Sequence, residues 1–191
     1  MMERLLVTHC APTLAGLKSG SLFTAVLTNE AALREKVAQL NEGFIPHGLN
    51  LMILRIQEER ALIYLYRERS VAASLANPEI WAFLQECGYR EPCISCVLST
   101  LCDRLGKWEQ FPHEIGIFLD YPLHDVIGFI RNEGRNCLLC GCWKCYENPG
   151  ETARTFARYQ KCKEVYMQRF ADGFPLSKLT VGTELLYPVA S

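Results

Sequence analysis

Leu49-Asn50-Leu51-Met52-Ile53-Leu54-Arg55-Ile56-Gln57 and Ala61-Leu62-Ile63-Tyr64-Leu65-Tyr66-Arg67, joined by Glu58-Glu59-Arg60, decide the fold. Ile53, Ile56, Ile63, Tyr64 and Tyr66 are branched or aromatic strand formers. Two such runs with a short polar joint read as an antiparallel hairpin. Upstream, Leu22-Phe23-Thr24-Ala25-Val26-Leu27 has the pattern of a buried strand. Three strands make a sheet too small to stand alone, so helices must cover it. The sequence therefore predicts an α+β fold. Its small antiparallel sheet, the strand near 22–27 plus the hairpin 49–67, is covered by helices from the carboxyl half.

Working outward, Pro12, Gly16 and Gly20 limit the amino end to a short helix or turn. Ala32, Leu33, Val37 and Leu40 recur at helical spacing after a Thr28 or Asn29 cap, and Gly43, Pro46 and Gly48 end that helix. Ser70–Ala76 reads as a short helix, and Asn77 caps a further one over Pro78–Cys87. Prolines 92, 112 and 122 open helices running to about Leu105, Leu119 and Ile130. Residues 136–146 are extended or loop, and Thr152–Phe170 is the longest helix. Residues 1–172 read as one α+β domain, with 173–191 a carboxyl tail able to pack on it.

Composition sets the setting. The 191 residues are 49% apolar, enough for a core without staples, and the net charge of −1 offers no general attraction to nucleic acid or anionic lipid. Between Arg131 and Arg169 eight Lys/Arg face four Asp/Glu, a balance that an ordinary solvated helix face accounts for. The amino end lacks the apolar stretch of a signal peptide, and no apolar run reaches the roughly 18 residues of a membrane span. Ten cysteines without an export signal are expected to stay free or bind metal in a reducing cytoplasm.

Four of those thiols fall in Cys137-Leu138-Leu139-Cys140-Gly141-Cys142-Trp143-Lys144-Cys145. Zinc needs four ligands at tetrahedral corners, commonly from two knuckles separated by a long insert. On a strand, Cys140 and Cys142 point one way and Cys137 and Cys145 the other. The ferredoxin spacing is absent as well. Three readings stand side by side: a zinc or iron–sulfur site at all four, a partial site recruiting Cys10 or Cys162, and idle structural thiols. Cys93-Ile94-Ser95-Cys96 lies at a helix start, where a thiol pKa falls. The strand that precedes such a motif in thiol oxidoreductases is missing, so core packing with Leu98, Leu101, Cys102 and Leu105 is the preferred reading.

His113-Glu114 lacks the second histidine of a zinc peptidase, since Ile117 stands four residues after His113. Residues 112–130 read as two packed helices around Gly116, Ile115, Leu119, Val126 and Phe129. The second helix offers Leu123, His124, Asp125, Ile127 and Gly128 rather than base-reading side chains, so no nucleic-acid partner is expected.

Several words occur together: Cys10-Ala11-Pro12-Thr13-Leu14-Ala15-Gly16-Leu17-Lys18, Phe111-Pro112-His113-Glu114-Ile115-Gly116-Ile117-Phe118-Leu119, Tyr121-Pro122 with Asp125-Val126, Gly141-x-Trp143-Lys144-x-Tyr146, and Lys161-Cys162. In this combination the chain resembles the bacterial family called domain of unknown function 3793, from about residue 5 to 172. The resemblance implies a cytoplasmic protein of anaerobic Gram-positive bacteria and no stated activity. The chain departs from the family words at Asp120, where Gly is expected, and at Cys137, Cys140 and Cys145, which lie outside them.

The polar members of these words are the candidate ligand-binding residues: Cys10, Thr13, Lys18, His113, Glu114, Lys144 and Tyr146. Lys and Glu are rarely buried unpaired, so a reason for them is needed. One is a structural network in which Glu114 caps a helix or pairs with Lys18 or Lys144. The other is a pocket where Lys18 and Lys144 hold an anionic group beside Cys10, His113 or Cys162. Candidate metal ligands are Cys137, Cys140, Cys142, Cys145 and Cys162. The expected function is a small-molecule, cofactor or metal-binding protein with a redox link. Its rival is a non-catalytic interaction or regulatory module using the paired helices 112–130. No reaction follows from the sequence.

Overall fold

The computed structural model describes residues 1–107 and 111–186. Strands β1 (Gly20–Val26), β2 (Leu49–Gln57) and β3 (Arg60–Arg67) form an antiparallel sheet in the order β1-β3-β2. The β2–β3 turn passes through Glu58, whose φ of 51° is left-handed. β3 is therefore central, and its sequence shows why it is apolar without alternation. Ala61, Ile63 and Leu65 enter one core, while Tyr64 and Tyr66 enter the other. A strand covered on both sides has no solvent face to be polar on.

The first core packs Leu49, Leu51 and Ile63 against α1 (Met2–Leu14) and α2 (Glu30–Phe44). The long α8 (Pro149–Ala171) lies against α1 and adds Tyr166 and Phe170. The second core packs Leu54, Tyr64 and Tyr66 against α3 (Glu68–Leu75), α4 (Pro78–Glu86), α5 (Ile94–Lys107), α6 (Ile115–Phe118) and α7 (Leu123–Arg131). The α+β class is as expected, and the helical cover comes from both halves of the chain. Tyr64 also ties the layers together, since its buried hydroxyl donates to the Phe118 carbonyl oxygen at 2.5 Å.

A bulge reconciles β2 with both cores. Ile53 pairs with Ile63, but the next partner of β3, Leu62, faces Arg55. Leu54 is the extra residue, and the slip lets Ile56 return to the first core beside Ile53. Strict alternation would have put Arg55 there instead. Arg55 now donates from Nη1 to the Leu105 carbonyl oxygen at 3.2 Å.

The amino end differs from the expected short helix or turn. α1 runs from Met2 to Leu14 with Pro12 inside its last turn. Proline offers no N–H to the Thr8 carbonyl, so one rung is lost close to the helix end, and the Pro12 carbonyl accepts from Leu17 N at 2.8 Å. In the opposite sense, the helix expected over 112–119 shrinks to α6 from its amino end, because the N–H groups of Ile115, Gly116 and Ile117 bond three residues back, to the carbonyls of Pro112, His113 and Glu114, as turns rather than an α-helical ladder. The carboxyl segment packs on the domain through Leu176 and Leu179, and Val181 N donates to the Leu14 carbonyl at 3.0 Å. Residues 187–191 of the expected tail lie outside those described.

Candidate functional site

Between α7 and α8 the cysteine run folds into a tight hairpin of β4 (Leu139–Cys140) and β5 (Lys144–Cys145). Leu139 pairs with Cys145 and Cys140 with Lys144, and Gly141 N donates to the Trp143 carbonyl at 3.0 Å. A side chain at Gly141 would collide with the Phe156 ring of α8, so glycine allows the hairpin tip to lie on that helix.

Asp125 of α7 holds this hairpin. It is 2% exposed, and its Oδ2 accepts from Trp143 Nε1 at 2.7 Å. Its Oδ1 accepts from the backbone N–H groups of Tyr146 at 2.7 Å and Glu147 at 3.2 Å. The Tyr121 hydroxyl donates to the Cys142 carbonyl at 3.1 Å. Trp143 stacks on Tyr121 with ring centres 5.1 Å apart and meets Phe156 edge-on at 4.6 Å. Gly128 belongs to the same fit, because a Cβ there would sit 2.6 Å from Tyr146 Cγ.

The hairpin thereby closes a cavity of about 450 Å³ against α6 and α7. Its walls include Tyr121, Val126, Phe129 and Trp143, and His113, Lys144 and Cys140 also line it. His113 meets the Phe129 ring edge-on at 4.9 Å. Lys144 Nζ donates to the Gly134 carbonyl at 2.5 Å and sits 5.8 Å from the Phe129 ring centre. Chemically this is an aromatic slot with one fixed cation, one imidazole, one thiol and the Asp125 carboxylate, whose oxygens are taken up by Trp143 Nε1 and the Tyr146 and Glu147 N–H groups. Such a surface suits a flat apolar body carrying negative charge.

The expected ligand-binding residues divide into three groups. His113 and Lys144 meet in the cavity, and Tyr146 packs beside it on Gly128. Lys18 lies behind the wall, 5.2 Å from the Tyr121 ring centre and outside the lining. Burial lowers its pKa, against the opposing pull of Cys142, Asp120 and Cys10. Cys10 and Thr13 are fully buried in α1, where Thr13 Oγ1 is 2.8 Å from Ser21 Oγ. Burial pushes the Cys10 thiol pKa far up despite nearby Lys18, so it stays protonated. Glu114 pairs with neither Lys18 nor Lys144. Its Oε1 lies 2.5 Å from Arg104 Nε and accepts from the Tyr89 hydroxyl at 3.3 Å, which makes it part of the second core.

The expected metal ligands are spread. Cys145 is fully buried, with its thiol donating to the Glu147 carbonyl at 2.7 Å, while Cys140 and Cys142 are exposed and Cys137 is half-buried. Cys162 is half-buried on α8, and burial pushes its pKa up to about 11. Among the described residues, the group close enough to share an ion is Glu91, Cys93 and Cys96. Core packing of Leu98, Leu101 and Leu105 is as expected, but Cys93 and Cys96 are bonded to each other at the start of α5. They reach solvent instead of the core because they occupy the first turn, ahead of the helix's buried face.

Sequence reasoning passed over Asp125 and Phe129 as site builders. The available signal was a carboxylate at Asp125 inside the apolar helix pattern of Val126 and Phe129, a placement that requires buried donors.

Fold and site together define an α+β protein whose cysteine hairpin closes an aromatic cavity on a helix pair. The chain belongs to the family described as Protein of unknown function (DUF3793), whose model matches residues 6–180. No curated protein and no solved structure matches it.

Proposed function

We propose that the protein binds a small, largely aromatic molecule bearing an anionic group in the cavity closed by the cysteine hairpin. The observation that carries this reading is the pairing of Lys144 and His113 with Phe129, Tyr121 and Trp143 around one space of about 450 Å³. That volume falls in the range of small-molecule sites, and apolar walls with few polar groups are their usual make-up. Cys140 in the lining supplies a soft donor and the redox link of this reading. We take the setting to be a reducing cytoplasm, which the eight free cysteines support. No helix among the described residues is long and apolar enough to cross a membrane.

The test uses 8-anilinonaphthalene-1-sulfonate, a flat apolar anion. Its fluorescence should rise and saturate at one molecule per chain. Lys144→Met should weaken binding by about fivefold to tenfold, equivalent to about 1 kcal/mol, with the near-ultraviolet circular dichroism unchanged. Phe129→Ala should weaken it further. Unsaturable binding, or equal affinity in wild type and both variants, removes the cavity as a site and favours the helix pair as an interaction surface.

A further inference from the structure

We propose that Cys93 and Cys96 form a thiol–disulfide exchange centre acting on low-molecular-weight thiols and their disulfides. The two cysteines are bonded to each other across the first turn of α5, a 14-residue helix. Their surroundings are unequal. Cys93 Sγ receives the Cys96 backbone N–H at 3.1 Å and has the Ser95 hydroxyl at 3.4 Å. Donors and a helix amino end favour the thiolate, so Cys93 is the nucleophile once the bond is reduced. Cys96 Sγ instead lies 3.3 Å from Glu91 Oε2. A carboxylate there disfavours a second thiolate and accepts the proton of a reduced Cys96 thiol. The asymmetry gives one attacking sulfur and one resolving sulfur with its own proton acceptor.

The exchange balances in both directions. A small thiolate attacks Cys93 Sγ, the Cys93–Cys96 bond breaks, and Cys96 leaves and takes a proton. A second small thiolate attacks the foreign sulfur of the mixed disulfide and frees Cys93 as thiolate. Two thiols have then become one disulfide, and their two electrons rest on the protein pair. In reverse, Cys93 thiolate attacks a small disulfide and expels one thiolate. Cys96 gives its proton to Glu91, attacks Cys93 Sγ and expels the second. None of this involves the cavity, so the centre stands or falls independently of ligand binding there.

The experiment takes the full chain, reduced and desalted without oxygen. Alkylation by iodoacetamide at pH 7 is followed cysteine by cysteine by mass spectrometry. Cys93 should react at least tenfold faster than Cys140, an exposed thiol of the same chain. With glutathione disulfide, wild type should re-form the Cys93–Cys96 bond. Cys96→Ser should hold one glutathione per chain at Cys93, and Glu91→Gln should form that adduct normally but resolve it several-fold more slowly. Equal alkylation of Cys93 and Cys140 in the wild type overturns the proposal and needs no variant to fold. So does glutathione scattered over other thiols in Cys96→Ser. One zinc per chain, lost on Cys93→Ser, also overturns it and makes Glu91, Cys93 and Cys96 a metal site.

Discussion

Trp143 Nε1 donates to Asp125 Oδ2 at 2.7 Å, and this one contact joins the cysteine hairpin to α7 at the cavity wall. The other carboxylate oxygen takes the Tyr146 and Glu147 backbone N–H groups, so three donors depend on a single buried acid. Removing the acceptor leaves them without partners, and each unsatisfied buried group costs about 1–3 kcal/mol. Asp125→Ala should therefore lower stability by about 3 kcal/mol in urea unfolding. The hairpin should separate from α7 as well, which abolishes the anilinonaphthalene sulfonate signal. A variant of wild-type stability would show that aromatic packing alone seats the hairpin.

Arg67 is the largest charged group in the interior, at 2% exposure. Its Nε donates to the Thr13 carbonyl at 2.7 Å, and Nη2 donates to those of Leu14 and Val181, each at 2.8 Å. The end of α1 has unpaired carbonyls by construction, and the guanidinium satisfies them while holding the carboxyl segment. Arg67→Met keeps the apolar stem but removes all three guanidinium bonds, leaving the Thr13 and Leu14 carbonyls to the Gly16 and Val181 N–H groups and taking the Arg67 donor from the Val181 carbonyl. We expect a loss of about 2–4 kcal/mol and faster proteolysis between residues 173 and 186. Arg67→Lys should fall between wild type and Met, because one ammonium cannot reproduce the planar fork.

The hairpin was legible because β3 carries Ile63, Tyr64, Leu65 and Tyr66 in succession, a pattern that only a doubly covered strand tolerates. The bulge at Leu54 was not, since nothing local distinguishes Leu54-Arg55-Ile56 from continued alternation until two separate cores are known. Of the candidate site, Lys144 and His113 were legible as polar residues without a packing reason. Their separation from Lys18 was not, because Tyr121 stands between Lys18 and the cavity and its position depends on the Trp143 stack. Glu114 shows the same limit. Its partner Arg104 is one turn from the end of α5, and no sequence rule prefers it over Lys18 or Lys144.

Burial raises several acids together, which fixes the sign of the alkaline response. Cys87 and Cys162 are pushed up to about 11 from 9.0, and Tyr121, Tyr159 and Tyr166 to about 12 from 10.0. The folded protein keeps protons that the unfolded chain releases, so stability falls as pH rises through 9 toward 12. Lys18 works the other way, since its lowered pKa favours the folded state as pH climbs toward 10.5. Five groups outweigh one. The urea midpoint should hold from pH 7 to 8.5 and drop by pH 10.5. In Cys162→Ala the drop should shrink by about 1 kcal/mol or less, because the thiol is half-exposed and solvent screens it. A midpoint that rises over this range would mean these side chains are hydrated.

Asp120 stands in the left-handed region at φ 61°, directly after Leu119 closes α6. The family resemblance leads one to expect glycine at this place, and the backbone supplies the reason. A residue with a Cβ is strained there, although aspartate tolerates it better than most. The carboxylate compensates. Oδ1 accepts from the Ser19 hydroxyl at 2.9 Å and Oδ2 from the Ser19 backbone N–H at 3.3 Å, joining the α6–α7 connection to the start of β1. Two substitutions separate strain from bonding. Asp120→Gly loses both bonds but relaxes the backbone, so its stability should stay within about 1 kcal/mol of wild type. Asp120→Ala loses both bonds and keeps the strain, so it should cost about 2 kcal/mol. Equal stability of the two variants in urea unfolding would show that the connection shifts to a relaxed φ once Ser19 is released. A gap of about 1 kcal/mol would make the left-handed turn the reason for glycine here and the Ser19 bonds the reason this chain retains aspartate.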